Sequence, residues 1–254
     1  MAADATKLTI PGHGTVFQSA PNAALPADPL TAFTLTGPAP ASWSNLGHTS
    51  KQNTIAFSKE GGEPTTLDTF LSDAVEVIHS AVSWSLSIAA LQFDQTVLDL
   101  AFNGDWDDTT DGYIVPTSPA PVGAGLFLLF QGRASKLGFW IPNTTVTLGE
   151  APSVDPENFM ELPLSASILG AATNRIPTVD GMPGIMEIFK TGLVAPAAAW
   201  KATEAYSLAA RAALPTGEVL EVTVAGTSGS TAPTAPSVIG GTVVDGSVTW
   251  KRVG

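Results

Sequence analysis

The chain has 254 residues, 44% of them apolar and only 13% charged, with 11 Lys and Arg against 23 Asp and Glu, a formal net charge of −12, and no cysteine. So acidic a chain lacks the cations that hold phosphate, which argues against a stably bound nucleic acid, and without thiols neither a disulfide framework nor a thiolate metal site is available. The charge is unevenly placed: residues 1 to 195 carry 19 acidic and 7 basic side chains and residues 196 to 254 carry 4 of each, which divides the chain into an acidic main part and a neutral appendage.

From the amino terminus, Met1-Ala2-Ala3-Asp4-Ala5-Thr6-Lys7 has no basic start and no apolar run, so no export signal is expected. Residues 8 to 40 contain Pro21, Pro26, Pro29, Pro38 and Pro40, which disfavour helix and predict an extended arm with one or two short strands, of the kind that lies across a neighbour or hangs loose. Thr49–Ser58 and Thr65–Ser72 read as two strands joined by a polar hairpin tip, Lys59-Glu60-Gly61-Gly62-Glu63-Pro64. Val82, Trp84, Leu86 and Ile88 alternate with Ser83, Ser85 and Ser87, the period of a strand with one buried face.

One helix is expected over about 94–103. Asp94 is placed to cap it, Phe93 and Leu98 stand at staple positions, Val97, Leu98, Ala101 and Phe102 share a face, and Gly104 stops it. Leu126–Phe130, the Gln131-Gly132 turn and Leu137–Trp140 predict a second hairpin. The apolar run there is far shorter than the roughly 20 residues of a membrane helix. Further strands are expected near Thr144–Leu148, Phe159–Ile168 and Ile185–Phe189. Gly192 to Ala199 is a small-residue linker, and beyond it Glu218–Val224 and Thr242–Trp250 predict strands in a small β-rich unit over 200–254. The whole order predicts a mainly β fold, a sandwich or barrel with one flanking helix, plus that small C-terminal β-domain.

Candidate chemistry is thin. Asp107, Thr109, Asp111 and Gly112 occupy the first, third, fifth and sixth positions of a calcium-loop pattern, but Ser118 stands where the bidentate Glu belongs, which leaves a solvated acidic turn. His13, His48 and His79 are scattered singly, no Gly-x-Ser-x-Gly elbow supplies a nucleophile, and Gly123-Ala124-Gly125 leads into a strand, not a helix. No catalytic, cofactor or metal residue is expected, and the chain is not read as an enzyme. So low a charge fraction fits either a Ser- and Thr-covered surface or a subunit that hides its surface against copies of itself.

Three segments in order, Pro11-Gly12-His13-Gly14-Thr15-Val16-Phe17, Trp43-Ser44-Asn45-Leu46-Gly47-His48-Thr49-Ser50 and Leu91-Gln92-Phe93-Asp94, followed by the apolar hairpin, resemble the major tail subunit of long-tailed (siphovirus-type) phages of actinobacteria over roughly residues 10 to 190. The segment from Trp200 through Gly226 to Trp250 is similar to a small β-module appended to phage tail proteins. The resemblance implies a tail-tube-type domain over 1–191, a linker at 192–199 and an outer module over 200–254. It implies hexameric rings stacked into a tube in the virion, assembled in the host cytoplasm, with copies of itself, a tape-measure protein, and tail terminator and distal tail proteins as partners. No membrane and no cofactor is implied, and double-stranded DNA passes without stable binding.

On that reading carboxylates would line the conduit and repel phosphates, with Asp68, Asp73 and Glu76 as lumen-facing candidates. Glu60, Gly61, Gly62 and Glu63 would touch the neighbouring ring or subunit. Trp200, Tyr206 and Trp250 would either fill the small core of the outer module or stack on a sugar ring. The alternative is a capsid decoration or tail fibre protein with a carbohydrate-binding-like C-terminal module.

Overall fold

Leu126–Phe130, apolar at every position, becomes the centre of the fold because both of its faces are covered. A computed structural model describes residues 8, 10–67, 69–71, 74–133, 135–193 and 197–253, and the chain divides into two compact units, Met1–Gly192 and Leu193–Gly254. In the first unit the elements follow as β1 (His13–Ser19), α1 (Pro29–Ala32), β2 (Trp43–Asn45), β3 (Ala56–Gly61), β4 (Pro64–Leu67), β5 (Glu76–His79), β6 (Val82–Ala90), α2 (Gln95–Phe102), β7 (Asp105–Asp107), β8 (Gly112–Ile114), β9 (Val122–Gln131), β10 (Lys136–Leu148), β11 (Leu162–Ile168) and β12 (Glu187–Lys190). Eight of these strands make one antiparallel sheet in the order β2-β1-β9-β10-β11-β6-β3, with β12 on the first half of β10 and β11 on its second half.

Alternation splits the central strands between two cores. Val16, Leu126, Leu128 and Ile141 face one side with Leu86, Ile88 and Leu164, and Val97, Leu100 and Ala101 of α2 close over them. Phe17, Phe127, Leu129 and Trp140 face the other side, where Phe33 and Trp43 cover them. Phe33 stacks on Phe127 at 4.2 Å and meets Trp43 edge-on at 5.2 Å, contacts that add about 0.5–1.5 kcal/mol each beyond burial. The fold is therefore mainly β and of the sandwich type, with α2 as its flanking helix.

Several expectations shift in detail. The proline-rich segment is no free arm: residues 13–19 form β1 against β9 in the middle of the sheet, and the stretch after it returns to seat Phe33 on the same sheet. Phe17 and Phe33 are wholly buried, and that burial outweighs the extended bias of the prolines. Asp94 caps α2 through the backbone N–H of Val97 at 3.1 Å, but the helix ends on Asn103, which takes the left-handed conformation at φ 45°, one residue before Gly104. Residues 137–148 belong to a single strand; Pro142, which has no N–H to donate, leaves only a register shift between Ile141 and Thr144.

In the second unit β13 (Ala198–Ala199), β15 (Arg211–Ala213), β16 (Val219–Val224), β19 (Val248–Arg252) and β18 (Thr242–Asp245) form a sheet in that order, and β14 (Ala205–Tyr206) pairs with β17 (Gly226–Thr227). The stretch expected as one strand to Trp250 is a hairpin, because Asp245-Gly246 reverses the chain with Gly246 at φ 63°. Leu220, Val222, Val248 and Trp250 fill its core.

Candidate self-association surface

Strands β3 and β6 do not end where the sheet ends. Their pairing, last seen at Gly61↔Val82, resumes in the same register at Pro64↔His79 and runs to Leu67↔Glu76, so that β4 and β5 prolong them as a two-stranded ribbon. Between the two ladders Gly61 and Gly62 stand at φ 80° and 79°. A Cβ at Gly61 would collide with the carbonyl oxygen of Ala81, so this junction requires glycine. The Ser80 backbone N–H donates to the Glu63 carbonyl at 3.1 Å and holds the junction together.

Glu60, Gly61, Gly62 and Glu63 therefore lie where the sheet passes into the ribbon and not at a hairpin tip. Two consecutive positive-φ glycines are what a tight hairpin turn needs, so the sequence signal was a real one. Pairing of Phe57 with Leu86 and of Lys59 with Trp84 carries the chain past it, and the ladder continues to Leu67↔Glu76. Glu76 lies on β5 opposite Leu67 and is exposed. Asp68 and Asp73, the other two lumen-facing candidates, lie outside the described residues.

Every described residue of β4 and β5 is exposed, large apolar side chains included. Leu67, Val75, Val77 and Ile78 are exposed along it, and Phe70 and Leu71 stand fully in solvent near its end. A lone two-stranded ribbon is marginal in water, and a cluster of large apolar side chains on it marks a surface built to be covered. Beside the ribbon, β3 ends the sheet, with no strand on its outer side among the described residues. Such an edge accepts another strand. The sequence placed Phe70 and Leu71 in an ordinary strand; the signal for the ribbon was pairs of adjacent large apolar residues, Phe70-Leu71 and Val77-Ile78, which do not alternate to give one dry face.

The acidic stretch after α2 is the hairpin β7–β8. Asp107 Oδ1 accepts from the Thr109 backbone N–H at 2.9 Å and Oδ2 from Thr110 Oγ1 at 2.9 Å; these bonds, the backbone one first, hold its carboxyl below the usual range. Both of its oxygens thus accept hydrogen bonds within the turn. Tyr113 Oη donates to Asp99 Oδ1 at 2.9 Å and accepts from the Gly104 N–H at 2.7 Å, and burial pushes its hydroxyl above its ordinary value. No group of three or more metal-ligating side chains occurs among the described residues.

The aromatic candidates of the second unit serve its core. Trp250 is 0% exposed and offers no face to a sugar ring. Its indole N–H and that of Trp200 both donate to Asp245 Oδ2, at 3.1 and 2.9 Å, while the Gly229 N–H donates to Oδ1 at 2.7 Å. Tyr206 lies edge-on to Trp250 at 4.8 Å, and its Oη accepts from the Lys201 N–H at 2.8 Å. The sequence pointed to the aromatics and missed Asp245, the carboxylate that organises them.

A family model described as phage tail tube protein matches residues 1–179, within the first unit. No curated protein matches the chain significantly.

Proposed function

Because the chain belongs to the phage tail tube protein family, we propose that its copies close into hexameric rings and stack into an acidic-lined conduit through which the genome leaves the capsid. The family is a structural one and not an enzyme family, and the protein is a component of the virion tail. The observation that carries the finer reading is the ribbon: exposed apolar side chains on β4 and β5, next to the unpaired edge of β3, are what a neighbouring copy would cover and extend.

Ring closure removes that edge from solvent, and it accounts for the low charge fraction by hiding surface between copies. Glu76, with Asp68 and Asp73 from the same stretch of sequence, supplies negative charge to the wall. Duplex DNA is repelled by such a wall and finds few cations to grip it. A tape-measure protein during assembly, and terminator and distal proteins at the tube ends, are the further partners of this reading.

Negative-stain microscopy of the purified chain tests it. Tubes, or rings with six-fold symmetry, are the expected outcome; compact monomers, or trimeric knobs of the decoration type, overturn it.

A further inference from the structure

Where α2 passes into β7, Asn103 and Gly104 form the only Asn-Gly pair in the chain. In such a pair the backbone nitrogen of the glycine can attack the side-chain carbonyl carbon of the asparagine, because no Cβ on the second residue stands in the way. The fold favours both residues at these positions. Asn103 caps α2 in the left-handed conformation, at φ 45° and ψ 50°, which asparagine adopts more readily than most side chains. At Gly104 a Cβ would collide with the Ile114 carbonyl oxygen and press on the Tyr113 ring, so glycine is required. The Asn103 side chain itself is exposed to water.

The nitrogen that would attack is held. The Gly104 N–H donates to Tyr113 Oη at 2.7 Å, and the same hydroxyl donates to Asp99 Oδ1 at 2.9 Å. With its proton committed to the carboxylate, the phenol oxygen is left to accept from the glycine. The hairpin β7–β8 brings Tyr113 there: Trp106 pairs with it across the hairpin and lies edge-on to its ring at 5.3 Å. Burial, first among the causes, raises the pKa of the phenol, which therefore stays a donor to Asp99 in mildly alkaline solution. Those are the conditions in which a backbone amide most readily loses its proton. The Gly104 N–H has to leave this acceptor before its nitrogen can turn on the side chain.

We propose that Asn103 is a site of spontaneous deamidation and that Tyr113, as a positioning residue, sets its rate by holding the Gly104 nitrogen. In the reaction the Gly104 nitrogen gives its proton to solvent and bonds to Cγ of Asn103. The bond from Cγ to Nδ2 breaks, and the amide nitrogen takes up a proton and leaves as ammonia. Water then opens the five-membered imide at either carbonyl, to Asp or to an isoaspartyl link through the side chain. Both products place a carboxylate four residues after Asp99, at the end of α2 where the helix carries partial negative charge. Because α2 closes over the core through Val97, Leu100 and Ala101, the new charge strains more than the surface.

Ageing the full chain in mildly alkaline buffer, with peptide mass spectrometry at each asparagine, tests this. Folded wild type is expected to convert Asn103 more slowly than the same chain in denaturant. Tyr113→Phe, which removes the acceptor, is expected to convert Asn103 about five to ten times faster than wild type, the factor that one hydrogen bond supplies. Two controls keep local loosening apart from the guard. Asp94→Ala weakens α2 at its other end and leaves Tyr113 in place, and Asp99→Asn keeps an acceptor for the Tyr113 hydroxyl; both are expected to stay near the wild-type rate. Tyr113→Phe as slow as wild type, Asp94→Ala as fast as Tyr113→Phe, or folded wild type as fast as the denatured chain overturns the proposal.

Discussion

Asp245 is 6% exposed and accepts three hydrogen bonds, from two indoles and a backbone N–H. A buried donor left without its acceptor costs more than the bond it loses, so truncating this one carboxylate strands three donors at once. Asp245→Ala is expected to destabilise the second unit by about 3 kcal/mol. Denaturant unfolding followed by tryptophan fluorescence measures it, and a loss below about 1 kcal/mol would show that the two indoles find other partners. The sequence drew attention to Trp200, Tyr206 and Trp250 because aromatic side chains announce themselves. Asp245 could not be read the same way, since in sequence it looks like the first residue of an Asp-Gly turn, which it also is.

At the scale of elements, the ribbon decides most. Its tip residues Phe70 and Leu71 make no core contact in a single copy, so replacing both with Ser leaves the fold intact while removing apolar area from the surface that neighbours would cover. Phe70→Ser/Leu71→Ser is expected to keep the wild-type melting temperature and to lose at least about tenfold in assembled mass by sedimentation. Wild-type assembly in this variant would mean that the ribbon meets solvent in the tube. Other elements were legible in advance for local reasons: α2 follows from its Asp94 cap and one-sided apolar spacing, and β6 from strict alternation. The hairpin of β3 was misplaced because Gly61-Gly62 carries a strong local turn signal, and only the partner strand β6, some 25 residues away in sequence, overrides it.

For the whole molecule, the two compact units make a direct prediction. The first holds the family match and the ribbon, while the second has its own core around Trp250. A fragment of residues 1–192 is expected to fold and to assemble with the same ring diameter as the full chain, measured in projection images. A fragment that folds but stays monomeric would make the second unit part of the assembly contact. No helix among the described residues is long and apolar enough to cross a membrane.

By itself the sequence determined the mainly β class, the capped helix, the apolar hairpin at the centre and the uneven placement of charge, since each of these is written in neighbouring residues or in composition. Tertiary structure alone decided that the proline-rich segment packs on its own sheet and that the strand after Gly62 continues as a ribbon instead of turning. Those two outcomes depend on which distant strand pairs with which. Long-range pairing is settled by burial summed over the whole sheet, a quantity that no short stretch of chain contains.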